Sequence, residues 1–169
     1  MHLIIDGYNL LYAGRSVAKM NNLELQRERD RLITLLSAYR KRKQGRITVI
    51  FDGWQTGWGT EQKEFKNGIE VVFSQLGERA DEVIKRMVRD KGAGAVVVSS
   101  DREIARYAEK MAVAVIPSEQ FMERLEGSRG MVEKEIEPED GEYGSSKRKG
   151  PSRRPSKKEK RLRTALRKL

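Results

Sequence analysis

The sequence predicts an α/β fold in which a mainly parallel sheet of about five strands is covered by helices on both faces. Apolar runs alternate with segments of helical period through the first 125 residues. Each run is continuous rather than alternating in and out, as strands buried on both faces are. Three of the runs end at an aspartate with at most two residues between.

The elements follow in order. Leu3 to Ile5 is a short strand that stops at Asp6-Gly7, where a turn is expected. Leu25, Leu32, Leu35, Leu36 and Tyr39 recur at helical spacing between Asn22 and Lys43, and Gly45 is the expected stop. Ile47 to Phe51 is a second strand, ending at Asp52-Gly53. Trp54 to Asn67 has no period and reads as a long loop. Ile69 to Phe73 is a third strand, and Val83, Ile84, Met87 and Val88 share one face of a helix that Gly92 ends. Ala95 to Val98 leads through Ser99-Ser100 to Asp101 and a helix from Arg102 to Lys110, with Ser100 and Glu103 spaced as a capping box. Val113 to Ile116 is the fifth strand, and Ser118 caps a short helix ending near Leu125.

Beyond Glu126 the composition changes. Residues 126–169 lack the apolar set needed to offset ordering entropy, so a mostly disordered extension is expected after a domain spanning 1–125. Twelve Lys and Arg lie from Lys147 onward against Glu159 alone, whereas the residues before it carry 23 basic and 24 acidic side chains. The formal charge of +10 is therefore a property of the tail. Lys147, Arg148, Lys149, Arg153 and Arg154 are candidates for contact with RNA phosphates through counterion release. Leu162, Ala165, Leu166 and Leu169 give the last turns a helical period. No run approaches membrane-spanning length, so no membrane partner is expected. The chain has no cysteine, which excludes thiolate chemistry and fits a cytoplasmic location. The opening stretch is too short for a signal peptide.

In a parallel sheet the carboxyl ends of the strands share one edge, where such folds bind ligands. Asp6, Asp52 and Asp101 should gather there, and Asp81, at a helix start, either joins them or serves as a cap. Clustered carboxylates repel one another unless a cation neutralises them. Oxygen donors without His or Cys suit Mg²⁺ or Mn²⁺, and a metal-bound water is a nucleophile fit for a phosphodiester. Asn9, Ser99 and Ser100 are close enough in sequence to orient a water or a phosphate. Trp54, with Trp58, offers an indole for stacking on unpaired bases, unless it folds back on the core. His2, the only histidine, begins a strand away from this edge.

The motifs Asp6-Gly7-Tyr8-Asn9-Leu10-Leu11, Val49-Ile50-Phe51-Asp52-Gly53, Ala80-Asp81-Glu82-Val83-Ile84 and Val98-Ser99-Ser100-Asp101-Arg102-Glu103, in this order, resemble the YacP-like group of NYN domains, relatives of the PIN-domain ribonucleases. The resemblance covers about Met1 to Leu125. It implies a PIN-like three-layer α/β/α sandwich, Mg²⁺ or Mn²⁺ dependence and endonucleolytic cleavage of RNA, with relatives acting on messenger RNA at the ribosome. It makes Asp6, Asp81 and Asp101 the implied catalytic metal ligands, with Asn9 and Asp52 in support, and so places Asp81 on the edge. The alternative is a non-catalytic RNA- or ribosome-binding module on the same fold. A phosphatase or nucleotide-binding enzyme on a similar sheet is disfavoured, because there is no Walker glycine loop and no G-x-G-x-x-G opening a helix after the first strand.

Overall fold

The computed structural model describes residues 1–14, 20–53 and 59–134, with Arg161 and Thr164, and in 128–134 the backbone alone. Its elements are β1 (His2–Asp6), α1 (Gly7–Gly14), α2 (Asn22–Lys43), β2 (Arg46–Phe51), β3 (Gln62–Lys66), β4 (Ile69–Phe73), α3 (Ala80–Lys91), β5 (Ala95–Val98), α4 (Arg102–Lys110), β6 (Ala114–Ile116) and α5 (Ser118–Lys134). The six strands form one sheet in the order β3-β4-β2-β1-β5-β6. All neighbouring pairs are parallel except β3 with β4. The α/β architecture expected from the alternating runs is therefore present, with a mainly parallel sheet.

The sheet has one strand more than the expected five. Gln62–Lys66 lies in the stretch read as loop, but it turns back on β4 as an antiparallel edge strand. The turn is Asn67-Gly68, both at positive φ (53° and 80°), the pairing that matches hairpin twist. Asp6-Gly7 likewise opens directly into helix α1 instead of a turn. Helix α2 stops because Gln44 takes the left-handed conformation, one residue before the glycine expected to do so. Helix α5 runs to Lys134, past its expected end near Leu125.

Two apolar layers cover the sheet. Leu3, Ile5, Val49 and Phe51 face a cluster with Leu10 of α1, Leu32 and Leu36 of α2 and Phe121 of α5. Ile4, Ile50 and Val72 face Val83 and Ile84 of α3 and Ile104 of α4 on the other side. This alternation within continuous buried strands produces the apolar runs, and each fully buried Leu or Ile contributes roughly 1.5–3 kcal/mol by leaving water. A capping box at Asn21 and Glu24 starts α2. Four basic residues, Arg40 to Lys43, close it and oppose the helix dipole. Among the described residues no helix is long and apolar enough to cross a membrane.

The strand order reverses beside β1. The chain builds β2 and β4 on one side of it, then crosses over α3 to lay β5 on the other. In open sheets of this kind the crevice at that reversal, outside the strand carboxyl ends, is the ligand position. Here it falls between Asp6 and Ser99.

Candidate active site

Three helices begin at the strand-end edge, and their free N–H groups hold three of the acids. Asp6 Oδ1 accepts from the Asn9 amide at 3.1 Å, capping α1. Asp101 Oδ1 accepts from the Glu103 and Ile104 amides at 2.6 and 3.1 Å, capping α4. Asp52 Oδ1 accepts from the Ala80 amide at 2.7 Å, so that residue 52 supplies the first turn of α3 with its cap from across the fold. The cap of α4 is thus Asp101 rather than the Ser100 expected from spacing. Arg79 stands at the cap position of α3 with no side-chain cap bond, so Asp81 is not a cap. It lies in the first turn, buried, with Oδ2 3.0 Å from Arg79 Nη2.

Gly7 lets α1 start hard against β2, since a Cβ there would stand 2.4 Å from the Phe51 ring. The Phe51 ring in turn touches Tyr8 edge-on, with centroids 5.2 Å apart. Arg29 of α2 lies over Phe51 and Phe73 and donates to the Tyr8 hydroxyl at 3.0 Å. Nothing in the sequence spacing marks Arg29 for this place, because its partners are 21 or more residues away.

The acids act on one another electrostatically. Burial pushes the Asp6 carboxyl up to about 6, against the hydrogen bonds from Asn9 and Ser99, and the charges of Asp81 and Asp52 add to the rise. Burial also raises Asp81, with Arg79 opposing it and Asp101 and Asp52 reinforcing it. The four predicted acids therefore share one edge, where burial and neighbouring carboxylates disfavour the ionised forms of Asp6 and Asp81. Such a set suits a hard divalent cation, since every donor is an oxygen and a positive charge would relieve the repulsion. Among the described residues, no three Asp, Glu or His side chains stand close enough together to hold a metal ion. The acids form an open edge instead of a closed ligand set.

Asn9, Ser99 and Ser100 brace this edge. Ser99 Oγ donates to Asp6 Oδ2 at 3.2 Å and accepts from the Asp101 amide at 3.1 Å. Asn9 Oδ1 accepts from the Ser100 amide at 2.8 Å and the Ser118 hydroxyl at 2.6 Å, tying α1 to the β5–α4 turn and to α5. The Ser100 hydroxyl donates to Glu119 and accepts from the Ser118 amide. Asn9→Ala would strand a fully buried Ser118 hydroxyl and the Ser100 amide. The expected loss is ~1–3 kcal/mol, read as a lower urea midpoint with unchanged slope. Trp54 and the basic tail residues Lys147, Arg148, Lys149, Arg153 and Arg154 lie outside the described residues.

A parallel sheet reversing its order at an acid-lined edge, with helix N-termini pointing into that edge, defines a Rossmann-like α/β class with a candidate polyanion or metal site. Comparison with known proteins narrows this. The YacP-like NYN domain family matches residues 3–167, and the chain belongs to that family. A stretch of 87 residues is 30% identical to the uncharacterized protein YacP of Bacillus subtilis strain 168, covering 52% of this chain and 51% of that one; the match thus spans about half the relative's length. The crystal structure of Rae1 (YacP) from Bacillus subtilis superposes with TM-score 0.63 at 22% identity, over 80% of this chain and 79% of that one. A tryptophan-to-leucine mutant of it gives TM-score 0.67 at 20% identity, covering 80% of each chain. The sandwich fold expected from the motifs is the fold of these structures.

Proposed function

We propose that this protein is a metal-dependent endoribonuclease that hydrolyses RNA phosphodiester bonds, with messenger RNA at the ribosome as its working substrate. The observation that carries the reading is the gathering of Asp6, Asp52, Asp81 and Asp101 on one edge, two of them with raised pKa. Caps and burial fix their carboxylates as oxygen donors for a cation and its water, so the chemistry points to water as the nucleophile.

Asp6, Asp81 and Asp101 would hold Mg²⁺ or Mn²⁺, with Asp52 in support. Bound there, the ion supplies an activated water and offsets charge on the phosphate. The protein's own contribution is positional. Helices α1, α3 and α4 aim their N-terminal dipoles at the edge, which favours a phosphate there. Ser99 links Asp6 to the Asp101 backbone, so the two acids belong to one hydrogen-bonded unit. Arg79, with a side chain 72% exposed, sits at the lip as a cation able to leave Asp81 for a substrate phosphate.

The Arg79–Asp81 ion pair also favours a second reading, a non-catalytic RNA- or ribosome-binding module in which the arginine permanently fills the cation's place. One experiment separates the two. Wild type and Asp81→Asn are incubated with a long, partly structured RNA and with translating ribosomes, in Mg²⁺, Mn²⁺ or EDTA. The nuclease reading expects cuts that need metal and fall at least ~100-fold in the variant, with RNA binding kept. Intact RNA in every condition, with binding kept, selects the module.

A further inference from the structure

The domain, residues 1–125, carries 21 basic and 17 acidic side chains, and the structure sorts them into two poles. The acids occupy the strand carboxyl ends. At the strand starts, the last turn of α2 and the first residue of β2 present Arg40, Lys41, Lys43 and Arg46, all exposed. None of these four has an ion-pair partner among the described residues. The helix dipole accounts for basic residues in the last turn of α2, but not for Arg46 or for what lies beside them. Phe65 of β3 is 74% exposed, the most exposed large apolar side chain in the described residues. It lines the same groove of about 700 Å³ as Arg40, Lys41, Arg46 and the half-buried Glu70.

Arg40 reaches across this groove to the hairpin turn. Gly68 sits at φ +80° in the hairpin turn, and a Cβ on it would stand 2.5 Å from Arg40 Nη1. The guanidinium thus rests on the turn two strand positions from Phe65. Glu70 takes the Thr48 hydroxyl at 2.6 Å and is directed into that bond. The groove therefore combines cations lacking acid partners with an open aromatic face, the pairing that single-stranded nucleic acid binds through phosphates and base stacking. A second copy of this chain is a poorer occupant, because Lys63 and Lys66 are exposed on the β3 edge and oppose strand pairing.

We propose that the strand-start pole is a second RNA contact, taking single-stranded RNA by phosphate pairing at Arg40, Lys41 and Arg46 and by base stacking on Phe65. It rests on the nuclease reading for the identity of the polymer. From Arg46 to Asp52 the strand spans ~20 Å, so a strand held here reaches the acidic edge around the flank of the sheet.

The test uses full-length Asp81→Asn protein in EDTA, so that binding is measured without cleavage. A labelled, unstructured RNA oligonucleotide is titrated by anisotropy at several salt concentrations. Phe65→Ala should weaken binding roughly fivefold or more, and have no effect on a hairpin duplex of equal length. The combined Arg40→Ala, Lys41→Ala and Arg46→Ala variant should flatten the log–log salt slope by about 2. All four side chains are exposed, so melting temperatures should fall by no more than the few degrees expected from removing Arg40 and Lys41 from the last turn of α2. Unchanged affinity and slope would overturn the proposal, as would polyglutamate competing as well as the RNA, which would assign the groove to an acidic protein. Should wild type fail to cut while both variants lose binding, the nuclease reading falls and this surface stands. Cutting by wild type with both variants unaffected gives the converse.

Discussion

Asp6→Asn should melt at a higher temperature than wild type at pH 7 and yet lose metal-dependent cleavage at least ~100-fold. Asp6 is 8% exposed, and its carboxyl is raised from 3.8 to about 6, chiefly by burial. A raised folded pKa means that the folded state binds the proton more tightly than the unfolded one. Its stabilisation is fully present below 3.8 and is lost as pH rises through about 6. At pH 7 the ionised carboxylate costs the fold up to roughly 3 kcal/mol. Asparagine removes that charge while its Oδ1 still accepts from the Asn9 amide.

The expected gain is ~1–3 kcal/mol above pH 6, at ~2–4 °C per kcal/mol for a chain of this size, shrinking to nothing near pH 4. His2 tilts the curve the other way. Burial lowers its pKa from 6.5, with Arg46 adding to the effect, so its stabilisation is present above 6.5 and lost as pH falls. Both proteins carry His2, and the difference between their urea curves from pH 4 to 8 isolates Asp6. A variant less stable than wild type at pH 7 would mean that the caps from Asn9 and Ser99 outweigh burial. A stable but inactive variant would mark Asp6 as a residue kept for chemistry at the expense of the fold.

The sequence exposed the sheet where burial wrote itself into composition. β1, β2, β4 and β5 are continuous β-branched runs because both faces are covered, and three of the four acids could be located because they terminate such runs. β3 escaped detection for the opposite reason. Gln62–Lys66 is an exposed edge strand made of charged residues around Phe65, and only Asn67-Gly68 signalled the hairpin. Asp81 is separated from the end of β4 by seven residues, so local pattern did not distinguish an edge acid from a cap, and the family resemblance supplied its place. Asn9 and Ser100 meet across 91 positions, and Asn9 and Ser118 across 109. Spacing along the chain carries no information about such pairs, so the bracing role of Asn9, Ser99 and Ser100 became visible only in the fold.

Gly53→Ala should be among the most damaging single-methyl additions to this fold. A Cβ at residue 53 would stand 1.8 Å from the Ser74 carbonyl oxygen, a backbone atom with little freedom to retreat. The Gly53 amide donates to Ser74 Oγ at 3.0 Å, the Ser74 amide donates to the Phe51 carbonyl at 3.0 Å, and Ser74 Oγ donates to the Glu78 carbonyl at 2.7 Å. Ser74 is fully buried, so the ends of β2 and β4 must part for the methyl to fit. The expected cost is roughly 3 kcal/mol, or ~6–12 °C in melting temperature. Gly94→Ala, with nothing within 4 Å of its added Cβ, should change stability by less than ~0.5 kcal/mol. The damage should extend beyond stability, because residue 53 is bonded to Asp52, whose carboxylate holds the first turn of α3 and, through it, Asp81. At a temperature where Gly53→Ala is still folded by circular dichroism, its cleavage rate should fall further than Gly94→Ala's. Equal rates in the two folded variants would show that the position of Asp52 against α3 does not govern the site.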